Sequence, residues 1–121
     1  MSDIKDIAAR YIELWNERQP DRRREMLRRD WTTQAVYVDP LMRGEGHDSV
    51  DALIAGVQQR FPDFRFRLVG EPNGHGEHLR FSWALGPDGV DGPIKGTDFA
   101  QLENGRIRSI TGFLDQLPPS A

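Results

Sequence analysis

The chain has no cysteine, which removes disulfides, thiolate nucleophiles and thiolate-bound metals from consideration. It has no apolar run of transmembrane length. No basic stretch leads into an apolar one near its start, so no signal peptide is expected. Positive charge is not in excess: 16 Lys and Arg stand against 19 Asp and Glu, a net charge of −3. That balance gives no general attraction to nucleic acid or to an anionic membrane. No serine stands in a nucleophile-elbow context, and there is no glycine-rich phosphate loop. Internal repeats and low-complexity segments are also missing. These absences predict a cytoplasmic domain with no nucleic-acid or membrane partner, no metal and no cofactor.

What is present is ordinary for a globular chain: 121 residues, 37% hydrophobic and 29% charged. That length suits one domain, residues 1–121, with a core that needs no covalent staples. Ser2 is placed to cap a helix from about Asp3 to Arg18, whose Ile4, Ile7, Ala8, Tyr11, Ile12, Leu14 and Trp15 form one apolar stripe. Pro20 and Asp21 start a shorter helix to about Arg28, and its cluster Arg22, Arg23, Arg24, Arg28 and Arg29 reads as a solvated face. Trp31 to Asp39 reads as a strand, residues 41–46 as a loop, and Asp48 as the cap of a third helix ending near Arg60. From Phe64 onward the apolar period falls to two. Turns are expected at residues 72–76, at residues 86–92 and at Asn104-Gly105. The order predicts an α+β fold, with three N-terminal helices packed on a strongly curved antiparallel sheet.

Three residues carry the chemical signal. Asp39 ends a strand before Pro40, which has no N–H for a sheet ladder, so its carboxylate belongs at a sheet rim. Asp98, in Gly96-Thr97-Asp98-Phe99, shares an alternating face with Ala100 and Leu102 and projects inward. A carboxyl there must be paired or protonated. Tyr11 taken alone reads as a core tyrosine with its hydroxyl tied to a carbonyl or water. Together, two acids in unequal surroundings and a buried phenol suit proton transfer. One register stays open. A two-residue Asn104-Gly105 turn puts Thr111 opposite Asp98, and a three-residue turn puts Ile110 there. The two send Asp115 to opposite faces.

Tyr11, Tyr37-Val38-Asp39-Pro40, Gly96-Thr97-Asp98-Phe99 and Asn104-Gly105-Arg106-Ile107, in this order, resemble the nuclear transport factor two-like superfamily, in its SnoaL-like and ketosteroid isomerase-like branches. The resemblance spans nearly the whole chain. It implies a cone of bent sheet and three helices around one deep pocket, and a homodimer through the outer sheet face. By analogy with ketosteroid isomerases, it also implies Asp39 as the proton-moving base, with Tyr11 and a protonated Asp98 as oxyanion donors, a division of roles that is a known pattern of that enzyme class. Two positions depart: Ile54 stands where those isomerases carry a supporting helical tyrosine, and Phe113-Leu114-Asp115 replaces their aromatic wall. SnoaL-like polyketide cyclases place a catalytic aspartate late in the chain, so Asp115 is a candidate if it faces inward.

Tyr37 shares a face with Asp39, and Trp83 suits a pocket wall; with Asp115 they are the expected substrate-binding residues. His75 and His78 flank a polar turn without an evident third metal ligand, and His47 reads as a loop or capping residue. The expected function is acid–base chemistry next to a carbonyl of an apolar, cyclic small molecule. The rival from another class is a non-catalytic ligand-binding or dimerisation module of the same fold.

Overall fold

The computed structural model describes residues 3–118. Three helices, α1 (Ile4–Asn16), α2 (Pro20–Asp30) and α3 (His47–Arg60), pack against six strands: β1 (Trp31–Val38), β2 (Arg43–Glu45), β3 (Arg65–His75), β4 (His78–Gly86), β5 (Ile94–Glu103) and β6 (Arg106–Gln116). Ser2 lies outside the described residues. The cap of α1 is Asp3, whose carboxylate accepts the Asp6 backbone N–H at 2.9 Å. The cap of α3 is Gly46 with φ +85°, not Asp48, which falls in the first turn where its charge suits the helix dipole. His47 opens α3 with its Nε2 within 3.2 Å of the Trp31 and Thr32 carbonyl oxygens.

The sheet order is β2-β1-β6-β5-β4-β3. Every neighbouring pair is antiparallel except β1 and β6, which run parallel. The sheet is therefore mixed. Local turns set the direction of consecutive strands, but β1 and β6 are joined through α3 and the whole meander, so no turn signal specifies their relation. The segment read as a loop at residues 41–46 contains β2, which doubles back on β1. The expected turn at residues 72–76 is different too. β3 runs on to His75, its register shifts between Val69 and Asn73, and the reversal comes at Gly76-Glu77. Such shifts recur between Lys95 and Gly96 and between Gln101 and Leu102, and bulges of this kind bend a sheet.

The Asn104-Gly105 turn has two residues, with φ +53° and +79°, both in the left-handed region that tight hairpins require. Yet neither expected register holds. The bulge at Gln101/Leu102 offsets the ladder, and Gly112 stands opposite Asp98. One apolar cluster joins α1 to the concave face of the sheet, with Ala8, Leu27, Ala35, Val50, Ile54 and Ile110 fully inaccessible. Arg23, in the cluster read as solvated, is buried. It donates to Asp51 at 2.7 Å, to the Glu17 carbonyl at 3.1 Å and to Gln58 at 3.2 Å, tying the end of α1 to α2 and α3. Among the described residues no helix is long and apolar enough to cross a membrane.

Candidate active site

The concave face of the sheet and the helices leave a cavity of about 500 Å³, within the range of small-molecule sites. Tyr11, Tyr37, Asp39, Trp83 and Asp98 all line it. Residues separated by up to 87 positions thus converge on it.

Asp98 sits mid-β5 on the inner face and is 2% exposed. Tyr11, on the buried stripe of α1, donates to Asp98 Oδ2 at 2.6 Å. The two were expected as parallel donors; instead, they are bonded to each other. Tyr11 is held by the stacked ring of Trp31 at 6.1 Å and the edge of Phe81 at 4.8 Å. Burial pushes the Asp98 carboxyl up to about 6, aided by the charge of Asp39 and opposed by the Tyr11 hydroxyl and the Trp83 indole. Burial and then the charge of Asp98 push the Tyr11 phenol well above its ordinary value, so it stays a donor.

Two glycines make room for this pair. A Cβ at Gly96 would lie 2.3 Å from the Trp83 ring, so only glycine lets that indole lie flat across β5. A Cβ at Gly112 would lie 2.8 Å from Asp98 Oδ1, 3.2 Å from Asp39 Cβ and 3.6 Å from the Tyr37 hydroxyl. Both carboxyl-bearing residues therefore border the same notch.

Asp39 is half-buried at the end of β1. Tyr37 donates to its Oδ2 at 2.6 Å, and the Leu41 and Met42 backbone N–H groups donate to Oδ1 at 2.8 and 3.0 Å. Pro40 offers no N–H, so the carboxylate reaches over it to the next two. The same contacts brace the turn and aim the carboxylate. Burial pushes the Tyr37 phenol above its ordinary value as well. Asp98 Oδ1 and Trp15 Nε1, fully buried atoms of two residues that line the cavity, have no hydrogen-bond partner within range among the described residues. The Trp83 indole nevertheless stands close enough to Asp98 to favour its charged form. Unpartnered buried polar atoms are rare and call for an explanation, such as a bound molecule.

Asp115 is a correction. It lies where the β5–β6 register shifts, is exposed, and accepts from Thr97 at 2.7 Å on the outer face of the sheet. It does not line the cavity. The bulges that move Gly112 opposite Asp98 also set its side, and pattern alone gives no bulge positions. Ile54, where a helical tyrosine was the alternative, is a fully buried core residue.

The profile of the SnoaL-like domain family matches residues 8–110. The chain belongs to the SnoaL-like family. A crystal structure of a candidate isomerase of that family from Agrobacterium tumefaciens str. C58 is 43% identical, covers 95% of this chain and 99% of its own, and superposes with a TM-score of 0.89. A candidate ketosteroid isomerase from Kribbella flavida DSM 17836 is 18% identical over 98% of this chain and 83% of its own, with a TM-score of 0.70. A candidate SnoaL-like polyketide cyclase from Jannaschia sp. CCS1 is 17% identical over 95% and 90%, with a TM-score of 0.69. At those identities the last two show the shared nuclear transport factor two-like fold alone. No curated protein matches the chain.

Sequence reasoning missed several residues of this SnoaL-like site. Trp15 read only as core; its position four residues after Tyr11 on the same helical stripe was the available signal. Phe66, packed edge-on against Trp83 at 5.3 Å, and Arg60 also line the cavity. Gly112 gave no signal, because its role rests on what approaches it from β1 and β5.

Proposed function

We propose that this SnoaL-like protein is a cofactor-independent enzyme of the isomerase or cyclase kind, acting next to a carbonyl of an apolar cyclic molecule. The observation that carries this reading is the buried Tyr11–Asp98 pair. It leaves Asp98 Oδ1 buried and without a hydrogen-bond partner within range among the described residues, in a side chain that lines an apolar cavity beside the notch that Asp39 borders. Asp39 takes a proton from the carbon next to the carbonyl. Negative charge then builds on the carbonyl oxygen, and a protonated Asp98 donates to it from Oδ1. Tyr11 bonds Oδ2 and holds the carboxyl in that orientation. The proton on Asp39 returns to a different carbon in an isomerisation. In a cyclisation the enolate carbon adds to a second carbonyl carbon of the same molecule, that carbonyl's π bond opens, and the oxygen it frees takes the proton from Asp39. An Asp98 carboxyl raised to about 6, which holds its proton below that pH, and a more solvated Asp39 suit these opposite duties.

The bracing of its own turn by Asp39 favours a second reading, a ligand-binding module in which that carboxylate is structural. Asp39→Asn separates the two, because an amide oxygen still accepts the Leu41 and Met42 N–H groups but is no base. Spectrophotometric titration with a naphthol, a mimic of a ring enolate, is the first experiment, with Asp98→Leu and Tyr11→Phe beside the wild type. Binding of the phenolate-like form that weakens in both variants supports the donor pair, and binding indifferent to both refutes it. Loss of turnover of a cyclic ketone in a folded Asp39→Asn protein then favours the enzyme over the module. The proposal includes a homodimer through the outer sheet face. That face carries the half-exposed Phe99 and Phe113, edge to face at 5.6 Å, with Val69 in the lateral row of Phe113.

A further inference from the structure

Val57, Arg60 and Phe61 line the cavity at i, i+3 and i+4 spacing around the end of α3. Val57 and Phe61 are half-buried, and between them stands the exposed Arg60. Arg60 is the one cationic side chain among the described residues that line the cavity. Its guanidinium stands 5.6 Å from the centre of the Phe61 ring, a cation–π contact that holds it beside the cavity wall. Among the described residues no carboxylate lies within 4 Å of Arg60, a feature it shares with exposed arginines such as Arg24 and Arg80, but of these Arg60 alone lines the cavity. The helix dipole at the end of α3 accounts for a cation there. It does not account for one on the cavity-facing stripe.

From this we infer that the ligand is an acid: an apolar ring body bearing a carboxylate or similar anion, seated against Arg60. The inference rests on the proposed use of the cavity and adds a substrate class to it. An anion seated there also has to avoid Asp39, which borders the same cavity, so a molecule with its anion at one end and its carbonyl at the other fits best. A guanidinium bonds a carboxylate through two parallel N–H groups, so geometry as well as charge selects the ligand.

The test uses 6-hydroxy-2-naphthoate and its methyl ester, which share a ring hydroxyl for the inner pair and differ only in the anion. Binding is followed by quenching of tryptophan fluorescence at low and at physiological salt. The wild type is expected to bind the acid roughly tenfold tighter than the ester at low salt, the scale of one charge-assisted contact. Because Arg60 is exposed, added salt narrows that ratio. Arg60→Gln should remove the preference by weakening the acid far more than the ester, and Arg60→Lys should restore part of it. A wild type that binds both ligands equally, or a preference that survives Arg60→Gln, overturns the inference. If the preference needs Arg60 while Tyr11→Phe changes neither affinity, the anion site stands and the acid–base reading falls. If neither ligand binds the wild type, both fall.

Discussion

Asp98→Asn removes a proton equilibrium from the centre of this fold, and its effect on stability changes with pH. Burial raises the folded carboxyl from 3.8 to about 6. Between those values the folded protein holds a proton that the unfolded chain has released. Stability from this group is fully present below about pH 4 and is lost as pH rises through about 6, opposite to an ion-paired aspartate. A shift of about two units at roughly 1.4 kcal/mol each is worth about 3 kcal/mol, of which about 2–3 kcal/mol separates pH 4 from pH 8. Asn keeps the shape of the neutral acid, can still accept from Tyr11, and does not titrate. Urea denaturation of both proteins at the two pH values cancels every other acid they share. The variant should gain on the wild type by about 2–3 kcal/mol between pH 4 and pH 8. A constant difference, or a swing the other way, would mean that Tyr11 and Trp83 outweigh burial. Asp98 would then be a carboxylate in the folded state, with no proton to donate.

Three further expectations are independent of that one. Arg23→Ala leaves the buried Asp51 carboxylate without its partner and should cost about 3–5 kcal/mol in chemical denaturation. Replacing both by leucine should cost clearly less than Arg23→Ala alone, and an equal loss would count against a desolvated pair. Gly112→Ala puts a methyl 2.8 Å from Asp98 Oδ1, so we expect about 1–3 kcal/mol of destabilisation together with weaker naphthol binding. Unchanged binding would show that the notch is not part of the site. Phe113→Asp places a charge in the apolar patch of the outer face and should convert a dimer to monomers in light scattering, without loss of helical circular dichroism. A monomeric wild type, or a variant that stays dimeric, would remove that face as the interface.

Most of the fold was legible because its signals are local. Helical stripes mark α1 and α3, alternation marks β3 to β6, and Asn104-Gly105 can adopt the left-handed pair that a tight hairpin needs. Asp98 could be singled out because a carboxyl on an inward strand face breaks the polarity expected there, and Asp39 because it precedes a proline at a strand end. Tyr11 alone read as core and stood out only through the family resemblance. Strand period by itself put Tyr37 on the face of Asp39, and Trp83 on the face of Leu79, Phe81 and Leu85.

Tertiary structure alone decided the rest. Whether β1 runs parallel or antiparallel to β6 depends on how α3 carries the chain across the sheet, which no turn records. Bulges moved Gly112 opposite Asp98 and turned Asp115 outward, because a one-residue offset reverses every side chain beyond it. Arg23 shares a helical face with Leu27, so its burial was readable in principle, but its partners Asp51 and Gln58 come from another helix. Tyr11 and Asp98, 87 positions apart, became one bonded pair only when α1 was laid across β5. Local propensity depends on neighbours in the chain. A site of this kind depends on neighbours in space, and folding is what brings those together.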